Sequence, residues 1–214
     1  MLNAQQYKET ERYKLYENYY TNYNIALGNL KDTLQNYYKT YFATEYQTAI
    51  ASVNDIQERL LEPEQALIEY FATDSSYYVF VIEKENQHFL KLPKGAKETA
   101  TLLQLQMALR SIDAAKKDGQ QAFEDFTNLA YQGYQQTLEP LIQVCAAATQ
   151  KLIIIPDKGL NYLPFEALLS EKTTSEKVDF LRLPYLLHQY QFHYGYSSTL
   201  LLENQQQHEE LEGN

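Results

Sequence analysis

The chain has no tryptophan and a single cysteine, Cys145, among its 214 residues. One thiol cannot close an internal disulfide or build a multi-cysteine zinc site, and such usage fits a reducing compartment. Basic residues are also short, with 18 Lys and Arg against 28 Asp and Glu, for a formal net charge of -10. A surface that holds nucleic acid needs a clustered excess of Lys and Arg, so nucleic acid is not expected as a partner. No apolar run approaches the roughly 18 residues of a membrane span. The N-terminal stretch carries charges and tyrosines where a signal peptide would have an apolar core. A soluble, cytoplasmic protein with no membrane partner is therefore expected. There is no Gly-rich phosphate loop, no G-x-S-x-G elbow and no zinc-ligand spacing, so neither a cofactor nor a metal is expected. His188 and His193, placed on one regular strand, would point to opposite faces and could not share a metal.

What the chain does have is Lys151 to Leu169, KLIIIPDKGLNYLPFEALL. The run Leu152-Ile153-Ile154-Ile155 shows no polar alternation, as expected of a strand buried on both faces at the centre of a sheet flanked by helices. Pro156 removes a ladder donor, Gly159 allows a positive φ, and Pro164 sets its φ in advance of a helical turn. The segment reads strand, turn, helix, which implies an α/β domain.

Tyrosine is abundant, with 20 in the chain. From Tyr13 the positions Tyr16, Tyr20, Tyr23, Leu27, Leu30, Leu34, Tyr37 and Tyr41 alternate three and four residues apart, the pattern of helices packed along a seam. Gly28-Asn29 in the middle leaves two options, one long helix or a helical hairpin. Ser52-Val53-Asn54-Asp55 has the form of an N-cap with an acidic residue three on, opening a short helix that Pro63 ends. The period then changes to two. Ala66–Thr73, Tyr77–Lys84 and His88–Leu92 are rich in aromatic and β-branched residues, which predicts three antiparallel strands in a meander. Helical spacing returns at Leu102, Leu105, Leu109 and Ile112, at Phe123, Phe126, Ala130 and Tyr134, and at Leu138, Leu141, Ile142 and Cys145. After the apolar strand come a polar loop, a candidate strand over Gln189–Tyr196 and, from Glu203, a polar tail expected to be solvated or disordered. Residues 1–62 are read as a helical extension, 63–202 as the α/β domain and 203–214 as the tail.

Cys145 lies on an apolar helical stripe with no His, Lys or Arg beside it, so it reads as a core residue and not a nucleophile. Asp157 and Glu166 are the candidates for lining a substrate site, because they fall at the mouth of the apolar strand and on the turn after it, where open α/β sheets bind ligands. Turn-holding and salt-bridging are the competing roles for these two carboxylates.

The residues from Leu152 through Pro156-Asp157-Lys158-Gly159 to Tyr162-Leu163-Pro164-Phe165-Glu166-Ala167-Leu168 resemble the signature of the CHAT domain, a caspase-like domain that follows tetratricopeptide repeats in bacterial proteins. Ala66 to Phe71 with Tyr78 to Ile82 is similar to that family's entry hairpin, and Tyr194 to Leu201 to its later strand and Ser-initiated helix. The family often has Gly where this chain has Lys158 and His where it has Asn161. The resemblance implies a partial caspase-like sheet with flanking helices, and it makes residues 63–202 the N-terminal half of such a domain. The helices before it would be the linker after helical repeats. It also implies a cysteine endopeptidase whose catalytic His and Cys come later than residue 214, so that this chain has no catalytic residues and is inactive alone. The implied partners are a protein or peptide substrate, a regulatory protein, and the adjacent helical repeats. A non-catalytic protein-interaction module is the alternative.

Overall fold

The computed structural model describes residues 4–38, 50–111, 119–173 and 178–212. They belong to two compact units, 1–50 and 51–214. Among the described residues the first holds the helix α1, Ala4–Tyr37. It passes through Gly28-Asn29 without a turn, and the Thr33 hydroxyl donates back to the Asn29 carbonyl at 2.8 Å. One glycine costs about 1 kcal/mol of helix propensity, too little to break a helix that continues for several turns on each side. Over these residues the hairpin option is excluded; Tyr41 lies outside the described residues.

The second unit opens on the expected cap. Ser52 Oγ accepts the Asp55 N–H at 3.1 Å, and Asp55 Oδ2 accepts the Ser52 N–H at 3.1 Å. The helix they start, α2, Val53–Asp55, widens at once into a π-turn over Ile56–Leu60. Its apolar residues Ile56 and Leu61 are buried against Leu67, Ile82 and Ile153. Ala51, Val53 and Leu60 pack against the same cluster. Apolar side chains four or five apart on a short turn find cover on the nearest sheet.

Three strands follow as the period-two pattern predicts: β1 Gln65–Ala72, β2 Ser76–Glu83 and β3 Gln87–Pro93. They form an antiparallel meander, with Leu67 opposite Ile82 and Phe80 opposite Phe89. The helices α3 Ala96–Ser111, α4 Gly119–Thr137 and the single turn α5 Glu139–Ile142 lead to β4, Lys151–Ile155. β4 pairs parallel with β1 on one side and with β5, Gln191–Tyr194, on the other. The order is β3-β2-β1-β4-β5, a mixed five-stranded sheet in an α/β unit. β1 and not β4 is the central strand, a correction to the reading of the apolar run. Leu152 to Ile155 are nonetheless all buried, because both faces of β4 are covered even though it is next to the edge.

Alternation divides the sheet cleanly. Ala66, Ile68, Tyr70 and Ala72 of β1, with Val79 and Val81 of β2 and Leu152 and Ile154 of β4, face a large core closed by Leu102, Leu105, Phe123, Phe126, Ala130, Leu160, Phe165 and Leu168. The expected helical stripes supply this cover; Ile112 lies outside the described residues. At Gly133 of α4 a Cβ would meet Leu105 Cδ2 at 3.0 Å and Leu168 Cδ2 at 3.1 Å. The opposite face carries the smaller cluster around Leu67, Ile82, Ile153 and Ile155, topped by the π-turn and Leu201.

Two further expectations are corrected at the C-terminal end. His188 ends a 3-10 turn, Leu186–His188, while His193 is on β5, so the two were never on one strand. From Ser198 the chain is helical to Glu212, forming α6. Ser197 Oγ accepts the Leu200 N–H at 3.1 Å and caps it. Leu202 is buried and Leu201 packs on the second cluster. The polar run from Glu203 rides on that anchored start, and its Glu, Gln and Leu residues are good helix formers. Among the described residues no helix is long and apolar enough to cross a membrane.

Candidate functional site

β4 delivers the chain to the open end of the sheet, and Pro156 stops the ladder there. Asp157 stays extended, and its Oδ2 accepts the N–H of Ala72 at 2.7 Å, joining the end of β4 to the end of β1. The chain then reverses at Lys158, whose φ is 50°. The positive φ expected at Gly159 thus falls one residue earlier. A side chain in this region costs on the order of 1–2 kcal/mol. The helical turn expected next is two 3-10 turns, Lys158–Tyr162 and Phe165–Ala167, with Pro164 between them.

Phe165 is fully buried, with its ring 5.7 Å from that of Tyr70. Its N–H donates to the hydroxyl of Tyr194 at 3.0 Å, and that hydroxyl donates in turn to the Glu166 carboxylate. Burial, and then the bond to Glu166 and its charge, push the Tyr194 phenol well above its ordinary range. Tyr194 therefore stays protonated and fastens β5 to the segment after β4. Glu166 is committed to this bond.

A cleft of about 480 Å³ opens beside this junction, lined by Pro156, Asp157, Asn161, Tyr194, Gly195 and Tyr196. It lies at the C-terminal ends of the parallel strands β4 and β5, the usual ligand position in an open α/β sheet. Of the two carboxylates singled out in the sequence, Asp157 is on the wall, while Glu166 reaches it only through Tyr194. Asn161 and Tyr194-Gly195-Tyr196 figure in the sequence through the family resemblance and not as site residues, because a strand expected over Gln189–Tyr196 leaves no room for a corner; β5 ends at Tyr194. Gly195, two residues before a Ser-capped helix, was the signal that could have marked it.

Cys145 is elsewhere, just after α5. It is half-buried, and its Sγ donates to the Leu141 carbonyl at 3.2 Å. Burial, with the negative charge of Glu83 second, pushes its thiol up to about 12. Glu83 is itself buried. Its Oε1 accepts from the Ala146 N–H at 2.9 Å and from the Thr149 hydroxyl at 2.6 Å, and its Oε2 has no partner among the described residues. This setting is the reverse of the electropositive one that makes a thiolate.

The cleft can thus hold a ligand through one carboxylate, one amide and two phenol rings. Its walls carry no nucleophile beside a base, and one carboxylate with one amide falls short of the three or four ligands that a protein-held zinc needs. Among the described residues no group of three His, Cys, Asp or Glu could hold a metal ion.

The family model of the CHAT domain matches residues 127–212. The match runs from the middle of α4 through β4, the 3-10 turns and β5 into α6, and so includes the cleft and the LPFEAL segment. It bears out the resemblance read from the sequence over that range. No curated protein matches the chain.

Proposed function

We propose that the chain forms part of the scaffold of a caspase-like cysteine endopeptidase domain and does not itself cleave peptides. The CHAT match and the mixed sheet with its C-terminal cleft support the family side of this reading. The setting of Cys145 carries the other side: the chain's only thiol donates to a carbonyl, has a buried carboxylate for a neighbour, and is held protonated. Nucleophilic catalysis needs a thiolate, a base and oxyanion donors in one constellation. In this reading a His and a Cys outside residues 1–214 supply them, a protein or peptide meets the cleft, and a regulatory protein or adjacent helical repeats act on the scaffold in the cytoplasm.

The test has two parts. Purified chain incubated with a peptide library should give no cleavage; turnover abolished by thiol alkylation would overturn the proposal. Alkylation itself should be slow. With the thiol held at about 12, its thiolate fraction at pH 8 is roughly three orders of magnitude below that of a free cysteine titrating near 8.5. The thiol favours its neutral form, so the rate should climb tenfold per pH unit through pH 9–11, where a free cysteine has already levelled off. A rate at pH 8 equal to that of glutathione would contradict the assignment.

A non-catalytic interaction module is the second reading. Its support is a set of exposed rings on the sheet, Phe71, Phe80 and Phe89, with Phe80 and Phe89 only 4.8 Å apart. Contiguous exposed apolar surface of this kind marks contact sites.

A further inference from the structure

The cleft's own chemistry narrows what it would take. Its acidic group is half satisfied: Asp157 Oδ2 accepts the Ala72 N–H, while among the described residues no hydrogen bond or ion pair engages Oδ1. Lys158 follows Asp157 on the reversed backbone, and Lys94 donates to the Thr73 carbonyl at 2.7 Å with its ammonium over the Tyr77 ring.

The phenols add to the same preference. Tyr194 has spent its proton on Glu166 and accepts from Phe165, so it offers the cleft an electron-rich ring and no free O–H donor. Tyr196 is 93% exposed at the rim, a second ring free to lie against a ligand. An aromatic face and a carboxylate side by side favour a flat or compact cation over a neutral or anionic group. One feature of the fold opposes this. The N-terminus of α6 begins two residues after Tyr196 and is equivalent to about half a positive charge. Ser197 already claims one of its N–H groups. A full charge on Asp157, with that of Glu166 behind Tyr194, exceeds the half charge.

We propose that the cleft between Asp157 and Tyr196 binds the basic side chain, arginine in preference to lysine, of an extended peptide. The planar guanidinium can pair with Asp157 Oδ1 while stacking on a tyrosine ring, which an ammonium cannot do. The proposal rests on the reading that this cleft meets a peptide, and it adds the class of side chain recognised.

Fluorescence polarisation of the full chain with a labelled alanine-based pentapeptide carrying one central arginine tests it, beside versions with lysine, citrulline and glutamate. Citrulline keeps the shape and removes the charge. The arginine peptide should bind at least tenfold more tightly than the citrulline peptide, with lysine between them and glutamate weakest. Asp157→Asn, which keeps an oxygen for the Ala72 N–H, should erase the arginine–citrulline difference. Tyr196→Ala alters only an exposed ring, and should weaken the arginine peptide several-fold with an unchanged circular dichroism spectrum. Equal binding of arginine and citrulline, no binding of any peptide, or a preference that survives Asp157→Asn would each overturn the proposal. Mass spectrometry of the same mixtures reads cleavage separately: cleaved peptide would sink the non-peptidase reading and leave the basic preference standing.

Discussion

The two faces of the sheet are built from the same alternating strands and differ in what lies over them. On one, side chains from Ala66 to Leu186 close a single core in which Phe123, Phe126 and Phe165 are fully buried. On the other, cover from the π-turn and the start of α6 reaches Leu67, Ile82, Ile153 and Ile155 and stops. Beyond it the same face presents Phe71, Phe80 and Phe89 at 62%, 45% and 58% exposure. Tyr78 and Phe89 stack 5.9 Å apart in that exposed region. Alternation decides which face a residue joins, and the connecting segments decide whether that face is core or surface.

Substitutions on the two faces should therefore separate by size. Phe165→Ala removes a ring held between Tyr70 and Tyr194 and should cost about 3–5 kcal/mol of unfolding free energy in a urea titration. A loss under about 1 kcal/mol would mean that the core is looser than its burial indicates. Gly133→Ala sets a Cβ against Leu105 and Leu168; an overpacking cost of about 1–3 kcal/mol less about 1 kcal/mol of helix propensity gained should leave a loss of up to about 2 kcal/mol in the same titration, and a stabilising result would show that these leucines have room to turn. Phe80→Thr on the open face replaces one good strand former by another and should change stability by no more than about 0.5 kcal/mol. A cost as large as that of Phe165→Ala would show that the exposed rings are covered in solution.

Much of this was legible in the chain. The meander strands lie within about a residue of their expected limits, since β-branched and aromatic runs broken by Asp-Ser-Ser and Glu-Asn-Gln leave little choice of register. Ser52 and Asp55 form the reciprocal cap that their spacing predicts. Phe123, Phe126 and Ala130 are buried as their spacing requires. Cys145, read as a core thiol from its apolar neighbours, is half-buried and held protonated. The failures share a cause. The Ser-initiated start of α6 agrees with the resemblance, but its run to Glu212 departs from the polar tail expected from Glu203; one buried Leu202 and a serine cap suffice to start a helix of good formers. The π-turn, the 3-10 turns and the positive φ at Lys158 depend on what the segment must reach: the Asp157 bond to Ala72 spans 85 residues of sequence.

The site divides in the same way. Asp157 was visible as a carboxylate following a buried strand, but its partner on β1, the junction of Tyr194 with Glu166 and the Tyr194-Gly195-Tyr196 corner were not. By itself the sequence determined the strongly periodic helices and strands, the identity of the LPFEAL segment and the apolar setting of Cys145, because periodicity, caps and neighbouring side chains act over a few residues. Only the tertiary structure decided that β1 and not β4 is central, which face stays open, and that residues nearly 40 apart, Asp157 and Tyr196, share one cleft. Strand order and the ends of parallel strands are set by long-range pairing, whose energy comes from burial that no short window of sequence contains.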